Sequence, residues 1–88
     1  MKYLLPGFEA KKRLELLLSL TRIRSKDVIA ALMDHYTTSL PAEQAAAEHN
    51  IALSNLVRNQ KRLEAVAATV ESIKVIDWAK LQLHKRAK

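Results

Sequence analysis

From Ser54 to Lys88 the chain contains neither glycine nor proline. These are the two residues that most readily interrupt a helix, glycine through its backbone freedom and proline through its missing N–H and its clash with the preceding turn. A stretch free of both, and rich in Ala, Leu, Glu and Lys, favours helix throughout. Either one helix of unusual length runs on from Ser54, or it bends near Ser72 into a further helix. Elsewhere the breakers are Pro6, Gly7 and Pro41, and they divide the remainder into short segments. The expectation is an all-α fold: a single small domain over 1–88, of four to five helices, too small for a catalytic cleft between two lobes. With no cysteine, neither a disulfide framework nor a thiolate metal site is possible.

Periodicity sets the helices. A first is expected over 8–20, with Leu14, Leu17 and Leu18 together with Phe8, Leu16 and Leu20 forming a wide apolar face. Ser25 is the expected N-cap of a second over 26–37, with Asp27 near its positive end and Val28, Ile29, Leu32, Met33 and Tyr36 inward. Thr37–Ser39 breaks it. Pro41 suits the first position of a third helix ending near Asn50, and Ser54 is an N-cap candidate for the fourth. With Leu56 taken as the inward direction, Leu63, Ala67 and Val70 fall within about 40° of it at 100° per residue. Ser54, Val57, Arg58, Lys61, Arg62 and Ala65 point outward.

Residues 42–63 carry the functional signal. Ala45 and Ala46 are small enough to let a second helix cross closely, and Asn50 tolerates the left-handed backbone of a helix-ending turn. Ile51, Leu53, Leu56 and Leu63 supply apolar contacts between the two helices. This is the layout of a helix-turn-helix, whose second helix lies against a groove of DNA. The candidate DNA-binding residues are Ser54, Asn55, Arg58, Lys61 and Arg62.

The charge supports this. The net charge is +6, which points towards a polyanion. No Lys or Arg occurs from Asp27 to Val57, whereas Asp27, Asp34, Glu43 and Glu48 all do. Basic residues precede the window (Lys11, Lys12, Arg13, Arg22, Arg24, Lys26) and follow it (Arg58, Lys61, Arg62, then a tail with Lys80, Lys85, Arg86 and Lys88). A phosphate-facing side explains this better than an unevenly charged soluble surface.

The chain resembles the adhesin-biosynthesis (PapB-type) transcription regulators of enteric bacteria. The likeness begins at Leu4-Leu5-Pro6-Gly7 and resumes in the Leu-rich helix. It is most specific over Ile23-Arg24-Ser25-Lys26-Asp27-Val28-Ile29 and Asp34-His35-Tyr36, and continues to Arg62-Leu63. The resemblance implies a helical regulator of fimbrial operons that binds AT-rich repeated sites as an oligomer. Three departures bear on DNA preference: Ala42-Glu43 stands where the family has basic residues, Gln60 where it has an apolar one, and no Gly-aromatic pair opens the fourth helix. The segment also looks a little like the helix-turn-helix of plasmid-borne TrfB/KorA-type repressors.

Other chemistry is not expected. His35, His49 and His84 are too far apart for a local metal signature, so no metal or cofactor is predicted. The serines have no organised base, and no Gly-rich loop can cradle a phosphate, so neither an enzyme nor a small-molecule site is indicated. No apolar run reaches ~18 residues, and the chain's start is too weakly apolar for a secretory signal, so the expected place is the bacterial cytoplasm, with no membrane partner. Val70, Ile73, Val75, Ile76, Trp78, Leu81 and Leu83 exceed what one helix end can hide. They suggest a homo-oligomer, unless Leu4, Leu5 and the first helix cover them. Double-stranded DNA is the expected partner. The alternative is a helical protein–protein interaction module that does not bind DNA.

Overall fold

The structure is a computed structural model that describes residues 3–86, with side chains to Leu83. Its helices are α1 (Lys11–Ser19), α2 (Lys26–Thr38), α3 (Ala42–Glu48) and α4 (Leu53–Arg86). No strand occurs among the described residues, and the all-α class is as expected.

Helix α1 is shorter than its periodicity suggests. Gly7, at φ 82°, turns the chain, and a side chain there would overlap Ser39, itself left-handed at φ 63°. The N–H groups of Gly7 and Glu9 both donate to the carbonyl of Tyr36, at 2.9 and 3.1 Å. That carbonyl lies in the last turn of α2 and has no partner within its own helix. Satisfying it holds residues 7–9 against α2, and the first helical bond runs from Leu14 N–H to Ala10. Phe8 therefore lies outside the helix and is 84% exposed, while Leu16 and Leu20 also face outward. The inward face narrows to Leu14, Leu17 and Leu18.

In α2 the Ser25 hydroxyl caps the helix by accepting from Val28 N–H, and Asp27 lies in the first turn. Val28, Leu32 and Tyr36 are buried as expected, with Ala31 added. Ile29 and Met33 are partly buried against them. Thr37 and Thr38 are helical, and their hydroxyls donate to the carbonyls of Met33 and Asp34 one turn back, at 2.6 and 2.5 Å. The left-handed Ser39 ends the helix one residue later than expected.

Pro41 occupies the cap position of α3 and Ala42 is its first helical residue, a shift of one from the sequence expectation. Ala45 and Ala46 are fully buried, and α3 packs against both α2 and α4. Asn50 takes the left-handed conformation, φ 58°, and Ile51 N–H returns to the Ala46 carbonyl at 2.9 Å. Helix α4 then starts at Leu53. Asn55 and Leu56 donate to the Ala52 carbonyl, both at 3.1 Å, so Ser54 sits in the first turn and is not the cap.

Helix α4 is a single element of 34 residues, with no separate fifth helix. At ~1.5 Å per residue it is about 51 Å long, close to the molecule's longest dimension of 57 Å. The other elements gather along its first half, where Leu56, Leu63 and Ala67 are fully buried. Leu4 joins this core, fastened by the Glu64 carboxylate, which accepts from Tyr3 and Leu4 N–H at 2.8 and 3.2 Å. The core ends near the half-buried Val70. Beyond it Ile73, Val75, Ile76, Trp78, Leu81 and Leu83 are 51–68% exposed. The N-terminal segment and α1 do not cover them: Leu4 is used in the core, and Leu5 faces outward.

Candidate nucleic-acid interface

The opening turns of α4 have two distinct faces. Leu56, Asn59, Leu63 and Ala67 point into the core, while Ser54, Arg58, Lys61, Arg62 and Ala65 are exposed. At 100° per residue these five outward positions lie within about 100° of one another. Three guanidinium or ammonium groups thus share a face with small neighbours, beside the turn at residues 49–52. Such a face can approach a polyanion closely without a bulky side chain in the way.

Of the five predicted residues, Asn55 differs. It is half-buried, and its Oδ1 accepts from Arg58 Nη2 at 3.1 Å and from Asn59 Nδ2 at 3.0 Å. Asn59 Nδ2 also donates to the Asn55 carbonyl at 2.8 Å. This bonding lets Asn59, only 6% exposed, stand among the core leucines, since a buried amide without partners is costly. Asn55 therefore bridges a buried amide and the exposed Arg58, steadying that guanidinium. Sequence reasoning misses Asn59, although it lies only about 60° from Leu56 on the same wheel.

Not every cation is available to a ligand. Arg13 bonds Glu9 at 2.7 Å and Glu71 at 3.3 Å, tying α1 to α4. Arg24 Nη1 donates to the carbonyls of Thr21 and Ile23. Lys74 pairs with Glu71 at 3.1 Å. Lys11, Lys12, Arg22 and Lys26 stand at or near the surface. The side chains of the basic tail at Lys85, Arg86 and Lys88 lie outside those described.

Lys61 also borders a cleft of about 340 Å³ where the N-terminal segment, α2 and α4 meet, lined by Leu4, Pro6, His35, Tyr36, Val57, Gln60 and Glu64. Burial pushes the Tyr36 hydroxyl up to about 12, helped by the negative charge of Glu64; a hydrogen bond with Gln60 opposes this, and Glu9 adds a smaller upward push. Tyr36 stays neutral at ordinary pH and fastens elements together. A second cleft, apolar and about 410 Å³, lies between Leu20 and the α4 residues Ala65, Val66, Thr69, Val70 and Ile73.

The acidic window folds back on itself. Asp34 Oδ2 on α2 meets His49 Nε2 across 2.6 Å, joining α2 to the turn before α4. Sequence spacing gives no sign of this pair, because only the crossing of α2 and α3 brings it together. Among the described residues no helix is long and apolar enough to cross a membrane. Comparison with protein-family models, curated proteins and solved structures found no match.

Proposed function

We propose that this protein binds double-stranded DNA through the start of α4 and regulates transcription. The observation that carries the reading is the exposed cluster of Arg58, Lys61 and Arg62 on one face of α4, directly after a short helix and a left-handed turn. That is the arrangement by which a helix-turn-helix lays its second helix on DNA. Arg58, Lys61 and Arg62 meet phosphates or base edges, and Ser54 contacts the backbone from the first turn. Asn55 orients Arg58 through its Oδ1, which accepts from Arg58 and Asn59, and its Nδ2 is the group that would donate to a phosphate. The resemblance to PapB-type regulators supports a bacterial, cytoplasmic protein acting on AT-rich repeats at a fimbrial operon. The test is binding to duplex DNA across a salt series. Affinity that falls steeply with salt, for AT-rich repeats and more weakly for random duplex, is the expected result.

The far half of α4 favours an additional reading, self-association. Ile73 ends the apolar cleft beside Leu20, and the exposed Ile76 and Leu83 follow it along α4, so uncovered apolar side chains adjoin the cleft. In an antiparallel pair, the projecting helix of one copy would lie in the cleft of the other, each burying what the other exposes. Sedimentation as a dimer, reduced to a folded monomer by Ile76→Glu, is the expected result; a wild-type monomer at high concentration would exclude it. Tight capture of a different protein with salt-insensitive, negligible DNA binding would instead favour the interaction-module reading.

A further inference from the structure

Asp34 on α2, Glu48 in the last turn of α3 and His49 just beyond it each bring a ligand atom to within 4.8 Å of the others. We propose that this triad binds a divalent transition-metal ion of the zinc type. The donor set is one imidazole and two carboxylates. Magnesium and calcium prefer oxygen-only surroundings, whereas an imidazole with carboxylates suits zinc and its neighbours.

The spacing needs only local adjustment. Zinc ligand atoms sit at ~2.0–2.2 Å from the ion, so tetrahedral partners stand roughly 3.3 Å apart. The His49 Nε2 to Asp34 Oδ2 distance is 2.6 Å and must open slightly. Glu48 is exposed, so a side-chain rotation can close the remaining gap without loss of core packing. The other two ligands stand on fixed backbone: Asp34 lies within α2, and His49 N–H donates to the Ala45 carbonyl at 3.2 Å. The side chains of His49 and Asp34 are 25% and 39% exposed, so an ion can enter without unfolding and keep water in its open positions. A bound ion would fasten α2 to the turn from which α4 departs.

A plain His–Asp hydrogen bond would explain two of these residues and leaves Glu48 idle. Glu48→Gln therefore separates the two explanations, since it leaves the Asp34–His49 contact untouched. The inference does not rest on DNA binding, because the ion alone is the probe. The experiment titrates the tag-free full chain with Zn²⁺, following the histidine ring nitrogens by NMR and the affinity by calorimetry. Saturable binding is expected, with the His49 ring signals shifting and those of His35 and His84 unchanged. Glu48→Gln, with an unaltered helical circular dichroism spectrum, and His49→Ala should each weaken binding by about tenfold or more. Mg²⁺ at the same concentration should leave His49 unmoved. The proposal is overturned if Zn²⁺ does not saturate, if it shifts His35 or His84 instead, or if Glu48→Gln binds as tightly as the wild type.

Discussion

The two halves of α4 share one backbone geometry and have opposite surroundings. From Leu53 to Val70 the helix is divided into an inward face that anchors the core and an outward face that carries Arg58, Lys61 and Arg62. From Ile73 to Leu83 apolar side chains emerge on several sides, and every large one is exposed. Helical hydrogen bonds are satisfied within the segment, and with no Gly or Pro to interrupt them the helix nucleated by the packed near half extends into the far half. Tertiary partners decide the rest. The near half is specified by packing, whereas the far half continues the same helix and presents surface that a second molecule can cover.

This contrast can be broken by truncating one side chain in each half. Leu63→Ala removes a fully buried side chain and should destabilise the fold by about 2–5 kcal/mol in urea unfolding. A loss below that range would mean that the core is centred elsewhere.

Tyr36 sharpens the same comparison, because it is buried beside the near half and feels the negative charge of Glu64 there. In the unfolded chain it ionises near 10.0, whereas in the fold it keeps its proton to about 12. Its contribution is therefore full below pH 10 and lost between pH 10 and 12, as the unfolded state alone gives up the proton. The expected loss across that window is on the order of 1–3 kcal/mol after solvent screening, and is absent in Tyr36→Phe. Chemical denaturation at a series of pH values measures the difference between the two proteins.

Smaller effects follow at positions with less to lose. Ser25→Ala removes the α2 cap and should cost ~1 kcal/mol. Ile76→Ala, in the exposed half, should change the stability of the dilute protein by less than about 0.5 kcal/mol. Thermal unfolding of both at low and high protein concentration adds a further check. A loss for Ile76→Ala that grows with concentration would identify self-association, and a large loss at every concentration would place Ile76 in the core.

Legibility in the sequence follows the range of the forces involved. Ser25, Asn50 and the inward line Leu56–Leu63–Ala67 are readable because caps, left-handed turns and helical periodicity are local. Periodicity overextends the first helix because the N–H groups of Gly7 and Glu9 are claimed by a carbonyl on α2, which no local pattern reveals. Ser54 looks like a cap because a serine before an apolar run matches the signal, yet the chain turns two residues earlier, at Ala52. The Asp34–His49 contact and the Arg13 bridge to Glu71 depend on helix crossings and leave no trace in spacing. In the candidate interface, periodicity alone places Arg58, Lys61 and Arg62 outward, where the structure has them. The bond from Asn59 Nδ2 to Asn55 Oδ1 is not legible in that pattern.

The central claim is that the near half of α4 meets DNA through its three outward cations. The most direct test is the slope of log affinity against log salt for duplex DNA. It should be measured for the wild type, for Arg58→Ala/Lys61→Ala/Arg62→Ala, and for Lys80→Ala in the far half. The triple variant should bind more weakly and flatten the slope by about 0.9 for each phosphate it no longer neutralises, while Lys80→Ala flattens it by no more than a single phosphate would. A triple variant that keeps the wild-type affinity and slope would contradict the account.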